Sequence, residues 1–341
     1  METKLLLKFY GIIDLGNFWP NSKEVDSKVV YGQCSADTIK ILIDRKQGFL
    51  TKSHPYASEE KTKIFNHVLI SGTEIRPPVD SKGYVTVRLQ GVSAPELHYK
   101  PDIRKAKMLT QHFGQTAVVE LQHMLRKHSL NNKIKCVAKT YVEKPEDAFD
   151  CRARFIGDVI ILKDDREFLN INHWLAEEGL VYPCFYTSMT NGEIRTIQLM
   201  VKSAISKKNV LWEHHYHKKL EPVENLSFEL KRGRKVRYTP SRDKKLPVYM
   251  PKIFRRQYKY ELTKNGKSFK SFLLSRKEQD RCCLLDDFFK DGAKENNMMP
   301  FGNLFSSNGD ILFKPWEVVF EEAESKLLDD KTKRVIKNLE F

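Results

Sequence analysis

The stretch Tyr84-Val-Thr-Val-Arg-Leu-Gln-Gly-Val-Ser-Ala-Pro-Glu96 constrains the fold more than any other part of the chain. Val85, Val87 and Leu89 alternate with Thr86, Arg88 and Gln90, the period of a strand with one buried face. Gly91 then frees the backbone, and Pro95 forbids continuation as a central strand. An arginine inside a sheet and a glutamate just past its end are delivered close together. Such a pair can act as a phosphate-binding cation and a base, or as a surface ion pair of little worth. Taken alone, the stretch favours the ion pair.

The surrounding pattern supplies the sheet. Leu5 to Ile13 reads as a strand, followed by a turn at Phe18-Trp-Pro. Lys28 to Asp44 reads as a hairpin about Cys34-Ser-Ala-Asp-Thr38, with β-branched Thr38 to Asp44 as its return strand. Residues 46–82 are polar and rich in turn formers, an insertion with one extra strand. A helix is predicted from about Thr110 to His128, with Phe113, Ala117, Val118, Leu121, Met124 and Leu125 on one face. Strands follow at Lys133 to Val142 and Arg154 to Leu162, then a tight reversal at Asp164-Asp-Arg166. Asn170 caps a short helix that Gly179 stops, and a third helix starts near Gly192. Five short strands with a helix after the third indicate an α+β fold, a five-stranded OB-type barrel with three helices, over residues 28–213. Residues 1–27 read as an N-terminal extension and 221–341 as a second domain of unknown fold.

Charge divides that second domain. The chain carries a formal net charge of +15. Residues 231–281 hold 18 Lys/Arg against 4 Asp/Glu, so one segment accounts for nearly all of the excess. Tyr238, Tyr249, Phe254, Tyr258, Tyr260, Phe269 and Phe272 interleave it. Cations for phosphates and rings for bases are what a nucleic-acid groove needs; a solvated surface over an aromatic core is the plainer reading. Residues 282–341 reverse sign, with 12 acidic against 8 basic, and end in an expected amphipathic helix from Trp316 to Leu328. This acidic tail could pack on the basic segment or serve a protein partner. No apolar run approaches a transmembrane span, so the expectation is a soluble, intracellular, cytoplasmic protein. Cys34, Cys136, Cys151, Cys184, Cys282 and Cys283 show no C-x-x-C spacing and read as buried thiols.

Three blocks carry a family resemblance. Ser35-Ala-Asp-Thr38 is similar to D-G-D-T, Val87 to Glu96 to V-R-L-x-G-I-D-A-P-E, and Arg152-Ala-Arg154-Phe-Ile-Gly-Asp-Val159 to Y-G-R-x-x-G-x-V. Together with Asn170 to Leu180 and the Leu211-Trp212 ending, residues 28–213 resemble the staphylococcal nuclease (thermonuclease) family. The resemblance implies hydrolysis of DNA or RNA phosphodiesters, helped by Ca²⁺ or by Mg²⁺ or Mn²⁺ in its place. It assigns Arg88 and Arg154 to phosphate, Glu96 to the general base, Asp37 and Ser93 to the metal, and Tyr182 and Tyr186 to substrate contact. Two guanidinium forks would suit a dianionic transition state. Ser93, however, stands where the family has its second metal-binding aspartate, and Ser35 where D-G-D-T begins with one. A hydroxyl is a poor ligand for a hard divalent cation, so affinity should fall unless Glu59, Glu60 or Asp80 of the insertion substitutes. Two readings follow: a metal-dependent nuclease, or a nuclease-derived module that binds nucleic acid or a protein partner without cutting. His98, beside Glu96, and His214-His-Tyr-His217 are lesser candidates, for phosphate and for a transition metal.

Overall fold

The computed structural model describes residues 5–16, 28–29, 35–52, 61–63, 67–71, 74–142, 145–215, 218–229, 236–237, 247–263, 266–275, 280–322, 326–329, 332 and 334. Five strands close a barrel: β1 (Leu5–Asp14), β2 (Thr38–Ile43), β3 (Tyr84–Leu89), β4 (Lys133–Val142) and β5 (Phe155–Lys163). Their order is β1-β2-β3-β5-β4, and β4 returns to β1. Only β3 and β5 run parallel, with Val87 and Arg88 opposite Phe155 and Ile156. The alternation expected for β3 holds, since Val85, Val87 and Leu89 are buried against Ile39 and Ile41 of β2 and Phe9 of β1. The rings of Phe9, Phe49 and Phe155 meet edge to face inside the barrel.

The start of the barrel differs from the sequence reading. Leu5–Asp14 is no extension: it pairs with β4 along its whole length, from Leu5 opposite Val142 to Asp14 opposite Lys133. Among the described residues β2 lies between β1 and β3, and Lys28–Val29 pairs with Val236–Arg237 rather than with β2 as in the hairpin expected over 28–44. The described residues of 46–82 include four strands rather than one. Phe49–Lys52 and Lys61–Lys63 extend the sheet beyond β1. His67–Ser71 pairs with Glu74–Arg76 and with Lys326–Asp329. The acidic tail therefore pairs with the insertion. Its expected helix is replaced by a 3-10 turn at Pro315–Glu317 and strands at Val318–Phe320 and Lys326–Asp329. Val318, Val319 and Phe320 are all buried, so a β-rich run with two covered faces outweighs the helical spacing read from the sequence.

The three expected helices are present as α1 (Gly114–Lys127), α2 (Ile171–Glu177) and α3 (Asn191–Ser206). Asn170 caps α2 by accepting from the backbone N–H of Asn172 and His173, and Gly179 ends the turn after it with φ +67°. Inside, the fully buried Asn172 accepts from Val159 N and donates to the carbonyls of Gln90 and Gly157. It thereby ties the exit of β3 to β5.

The basic segment contributes α4 (Pro251–Thr263) and α5 (Phe269–Leu274), and α6 (Leu285–Asp291) follows. Its aromatic residues are core. Tyr249, Phe254, Tyr258 and Phe269 are buried, and Tyr260 and Phe272 pack half-buried beside Phe269. The stacking platform is thus not what these rings form; Tyr238 lies outside the described residues. Arg281–Leu284, Met299–Pro300 and Val318–Phe320 make a sheet that continues onto Phe185–Tyr186 next to the barrel. Among the described residues no helix is long and apolar enough to cross a membrane. Cys136, Cys184, Cys282 and Cys283 are buried free thiols, Cys151 is exposed, and Cys34 lies outside the description.

One half-buried carboxyl gives a pH test. Asp158 on β5 accepts from Asn170 Nδ2 at 3.0 Å. Burial pushes its pKa up to about 6, against the pull of that hydrogen bond and of Lys139. A raised carboxyl pKa means that the native state holds the extra proton, so this group's contribution is full below about pH 4 and is lost as pH climbs through about 6. Asp158→Asn should therefore raise the melting temperature at alkaline pH and change it little near pH 4, measured as paired thermal melts.

Candidate functional site

The exit of β3 organises the site. Gly91 turns the chain with φ +74°, which aims the carbonyls of Leu89 and Val92 back at Arg88. Arg88 Nη1 donates to Val92 O at 2.7 Å, Leu89 O at 3.1 Å and Asp37 O at 3.3 Å. The same nitrogen lies 3.2 Å from Asp37 Oδ2. Asp37 Oδ2 also accepts from Ala94 N at 2.8 Å, and Oδ1 from Thr38 Oγ1 at 3.2 Å. One arginine and one aspartate thus staple the start of β2 to the turn that leaves β3. Arg88 Nε and Nη2 carry no protein hydrogen bond among the described residues.

Arg154 stands on the neighbouring strand opening. Its Nε and Nη2 reach Asp150 Oδ2 at 2.8 and 2.6 Å, and Nη1 donates to Thr38 Oγ1 at 3.0 Å. Thr38 therefore links the Asp37–Arg88 pair to the Arg154–Asp150 pair. Arg88 and Arg154 line one small cleft, with Gln90, Tyr186, Ser188 and Glu322 also on its wall.

Glu96 has another partner. Its Oε1 accepts from Arg255 Nη1 of α4, and its backbone N–H donates to Gln111 Oε1 at 3.1 Å. Gln111 Nε2 in turn donates to Tyr249 O at 2.6 Å, so the glutamate is locked from both sides by residues that face the C-terminal segment. Burial weakens the Arg255 charge, yet the Glu96 carboxylate and the nearby Tyr186 outweigh it and hold the guanidinium above its ordinary pKa. Helix α4 is anchored again one residue on, where Arg256 forks onto Asp280 at 2.9 and 2.6 Å. The buried Lys252 Nζ sits 3.6 Å from the same carboxylate and 4.0 Å from the Phe320 ring centre. Burial lowers its pKa, with Asp280 opposing.

The remaining expected site residues separate. Tyr186 is half-buried on the cleft wall; burial lifts its phenol well above the usual range, Cys184 and Glu322 add to this, and Arg88 opposes. Tyr182 is 0% exposed, donates to Val248 O at 3.0 Å and packs on Trp212 and His215. In this fold it is a core residue. Ser93 is buried opposite Tyr182 in a short strand pair. Ser35 Oγ accepts from Leu97 N at 3.2 Å. Asp80 caps its own turn through Lys82 N and Tyr84 N and pairs with Lys40 at 3.3 Å; Glu59 and Glu60 lie outside the described residues. His214 rests against Phe113, His215 against Trp212, and His217 is outside the description. Burial lowers the pKa of His98.

These donors do not fit a hard divalent cation. Both oxygens of Asp37 are taken by a guanidinium, an amide and a hydroxyl, and Glu96 faces a second guanidinium. Among the described residues no three His, Cys, Asp or Glu side chains gather as a metal site. Ca²⁺ needs six to eight oxygen ligands.

Sequence reasoning missed Arg255, Gln111 and Glu322. Arg255 was visible only as one of many cations in the basic segment, and nothing local marks it as the partner of a glutamate 159 positions away.

No curated protein matches the chain. A family model described as staphylococcal nuclease homologue matches residues 86–214, a range that opens inside β3 and runs past α3. Asp37, Arg255 and Glu322 all lie outside it, while Arg88, Glu96 and Arg154 lie within. The segment 86–214, which carries Arg88, Glu96 and Arg154, is thus similar to the staphylococcal nuclease homologues.

Proposed function

We propose that this protein binds nucleic acid at the arginine-lined cleft and does not cut it by the metal-and-glutamate route. The observation that carries this reading is the ion pair of Glu96 with Arg255. A general base must be within reach of the water whose proton it takes, and its carboxylate must be open to accept that proton. Glu96 is instead neutralised by a guanidinium that comes from outside the matched segment. Asp37, engaged by Arg88, Ala94 and Thr38, is not joined by two other His, Cys, Asp or Glu side chains to hold a cation among the described residues. Binding has separate support. The guanidinium groups of Arg88 and Arg154 share one cleft, and a net charge of +15 for the chain as a whole suits a polyanionic partner.

The retention of Arg88, Glu96 and Arg154 favours a second reading, a metal-dependent nuclease whose metal arrives with the substrate. One experiment separates the two. End-labelled single-stranded DNA and RNA are incubated with the protein in Ca²⁺, Mg²⁺ or Mn²⁺ and resolved for both shift and cleavage. We expect a shifted, intact strand in every ion, and Arg154→Gln should weaken the shift about tenfold, the loss of one charge-assisted contact. Cleavage that any of the three ions supports and that Glu96→Gln abolishes would establish the nuclease instead.

A further inference from the structure

A basic loop projects from the chain just past the turn that Arg88 grips. Its stem is firmly closed. Glu96 O accepts from Gln111 N at 2.8 Å, and Leu97 O accepts from Thr110 Oγ1 at 2.6 Å. Tyr99 and Leu109 exchange backbone bonds at 2.8 and 2.9 Å, and Leu109–Gln111 pairs on its other side with Ser227–Glu229. The loop so closed runs from Lys100 to Met108. Inside it, Ile103 N donates to Pro101 O at 2.8 Å and Ala106 N to Ile103 O at 2.9 Å.

The C-terminal helix α4 holds this loop at both ends. Arg255 takes Glu96 at the root. Three residues on, and so on the same face of the helix, Tyr258 reaches the far end. Its hydroxyl accepts from Lys107 N at 2.8 Å and donates to Lys107 O at 2.9 Å. The Tyr99 ring packs edge-on against Phe254 and Tyr258 of the same helix. A loop fixed in this way presents its charges in one arrangement.

Those charges are Lys100, Arg104, Lys105 and Lys107, against Asp102 alone. Lys107 pairs with Glu229 at 2.8 Å. Lys100, Arg104 and Lys105 are exposed and form no ion pair or hydrogen bond through their side chains among the described residues. Like charges gathered on a fixed backbone repel one another, and a polyanion relieves that repulsion. Two polyanionic surfaces could do so, a nucleic acid and an anionic membrane. A membrane contact is strengthened by apolar side chains that enter the lipid. Pro101 and Ala106 are buried here, and Ile103 and Met108 are half-buried, so the loop has no exposed apolar side chain to insert. A row of phosphates needs only the cations.

Resting on the binding function proposed above, we infer that Lys100, Arg104 and Lys105 contact the phosphates of a nucleic-acid strand outside the cleft, on a loop that α4 holds in place. Contacts to phosphate position a strand and add affinity without reading its sequence.

The test follows a 5′-labelled single strand by anisotropy with the full-length protein over a series of KCl concentrations. The triple variant Lys100→Ala, Arg104→Ala, Lys105→Ala should make the slope of log affinity on log salt shallower by about 2, and weaken binding about hundredfold at about 0.1 M salt. Exchanging the cations instead, as Lys100→Arg, Arg104→Lys and Lys105→Arg, should keep the wild-type slope. In the wild type, bound strand should protect Lys100 and Lys105 from acetylation by acetic anhydride, which keeps the inference testable should the triple variant fold poorly. A slope changed by less than about 0.5, or equal acetylation with and without the strand, overturns the inference and leaves the binding function standing. A triple variant that loses sedimentation with phosphatidylserine vesicles but binds the strand as the wild type does makes the loop a membrane contact, and overturns it too. If the wild type binds no strand, the binding function fails and this inference falls with it.

Discussion

Arg255→Met should destabilise the protein by about 3 kcal/mol, the cost of leaving a mostly buried carboxylate without its partner. Two features put the pair in that class. The side chains are 30% and 14% exposed, so neither charge has water enough to make the loss cheap. Glu96 is also fixed at its backbone by Gln111, which is itself bonded to Tyr249 O, so the carboxylate cannot simply swing out to solvent. Urea denaturation of Arg255→Met, Glu96→Gln and the double variant forms a cycle that isolates the coupling. We expect the double variant to be more stable than Arg255→Met alone, because glutamine removes the uncompensated charge. A loss below about 0.5 kcal/mol in Arg255→Met would place the contact among ordinary surface pairs and withdraw the main support for a silent Glu96. The same variant bears on domain organisation. α4 packs Ile253 and Phe254 into the core that also holds barrel residues, so one unfolding transition is expected rather than two.

Local signals in the sequence were enough for the barrel strands and the ends of α2, though not for the start of α1, where Leu109–Gln111 is a strand and the helix begins only at Gly114. The alternation in β3, the Asn170 cap, the Asp164-Asp165 reversal and the positive φ of Gly91 and Gly179 each depend on a residue and its nearest neighbours. What failed was pairing over long separations. Leu5–Asp14 was legible as a strand but not as the one that closes the barrel, because nothing in its own residues names β4 as its partner. The aromatic residues of the basic segment were legible as apolar but not as buried; a ring for stacking and a ring for packing are the same residue until a neighbour is known. The site shows the same division. Residue types at Asp37, Arg88, Glu96 and Arg154 could be read from motif spacing. Their partners could not, since Arg255 and Glu322 come from stretches with no motif at all. Chemistry assigned from a motif therefore changes once the motif's residues are found paired with each other and with the rest of the chain.

Asp37→Asn separates a structural carboxylate from a metal ligand more sharply than an activity assay does. A carboxylate kept for a cation sits in an unfavourable field when the cation is removed, so neutralising it in chelator should leave stability unchanged or raise it. Asp37 has the opposite surroundings: Arg88 Nη1 at 3.2 Å, Ala94 N–H at 2.8 Å and the Thr38 hydroxyl at 3.2 Å all present protons to its oxygens. In EDTA we expect Asp37→Asn to lose about 3 kcal/mol, since the Arg88 guanidinium is left without its counter-charge and an amide N–H₂ now competes where only acceptors fit. Millimolar Ca²⁺ should move the melting temperature of neither protein. A resident metal site would instead stabilise the wild type in proportion to the logarithm of ion concentration, and the asparagine variant would lose that gain. The staple between β2 and the β3 turn is then the reason an aspartate is needed at position 37, with or without any metal.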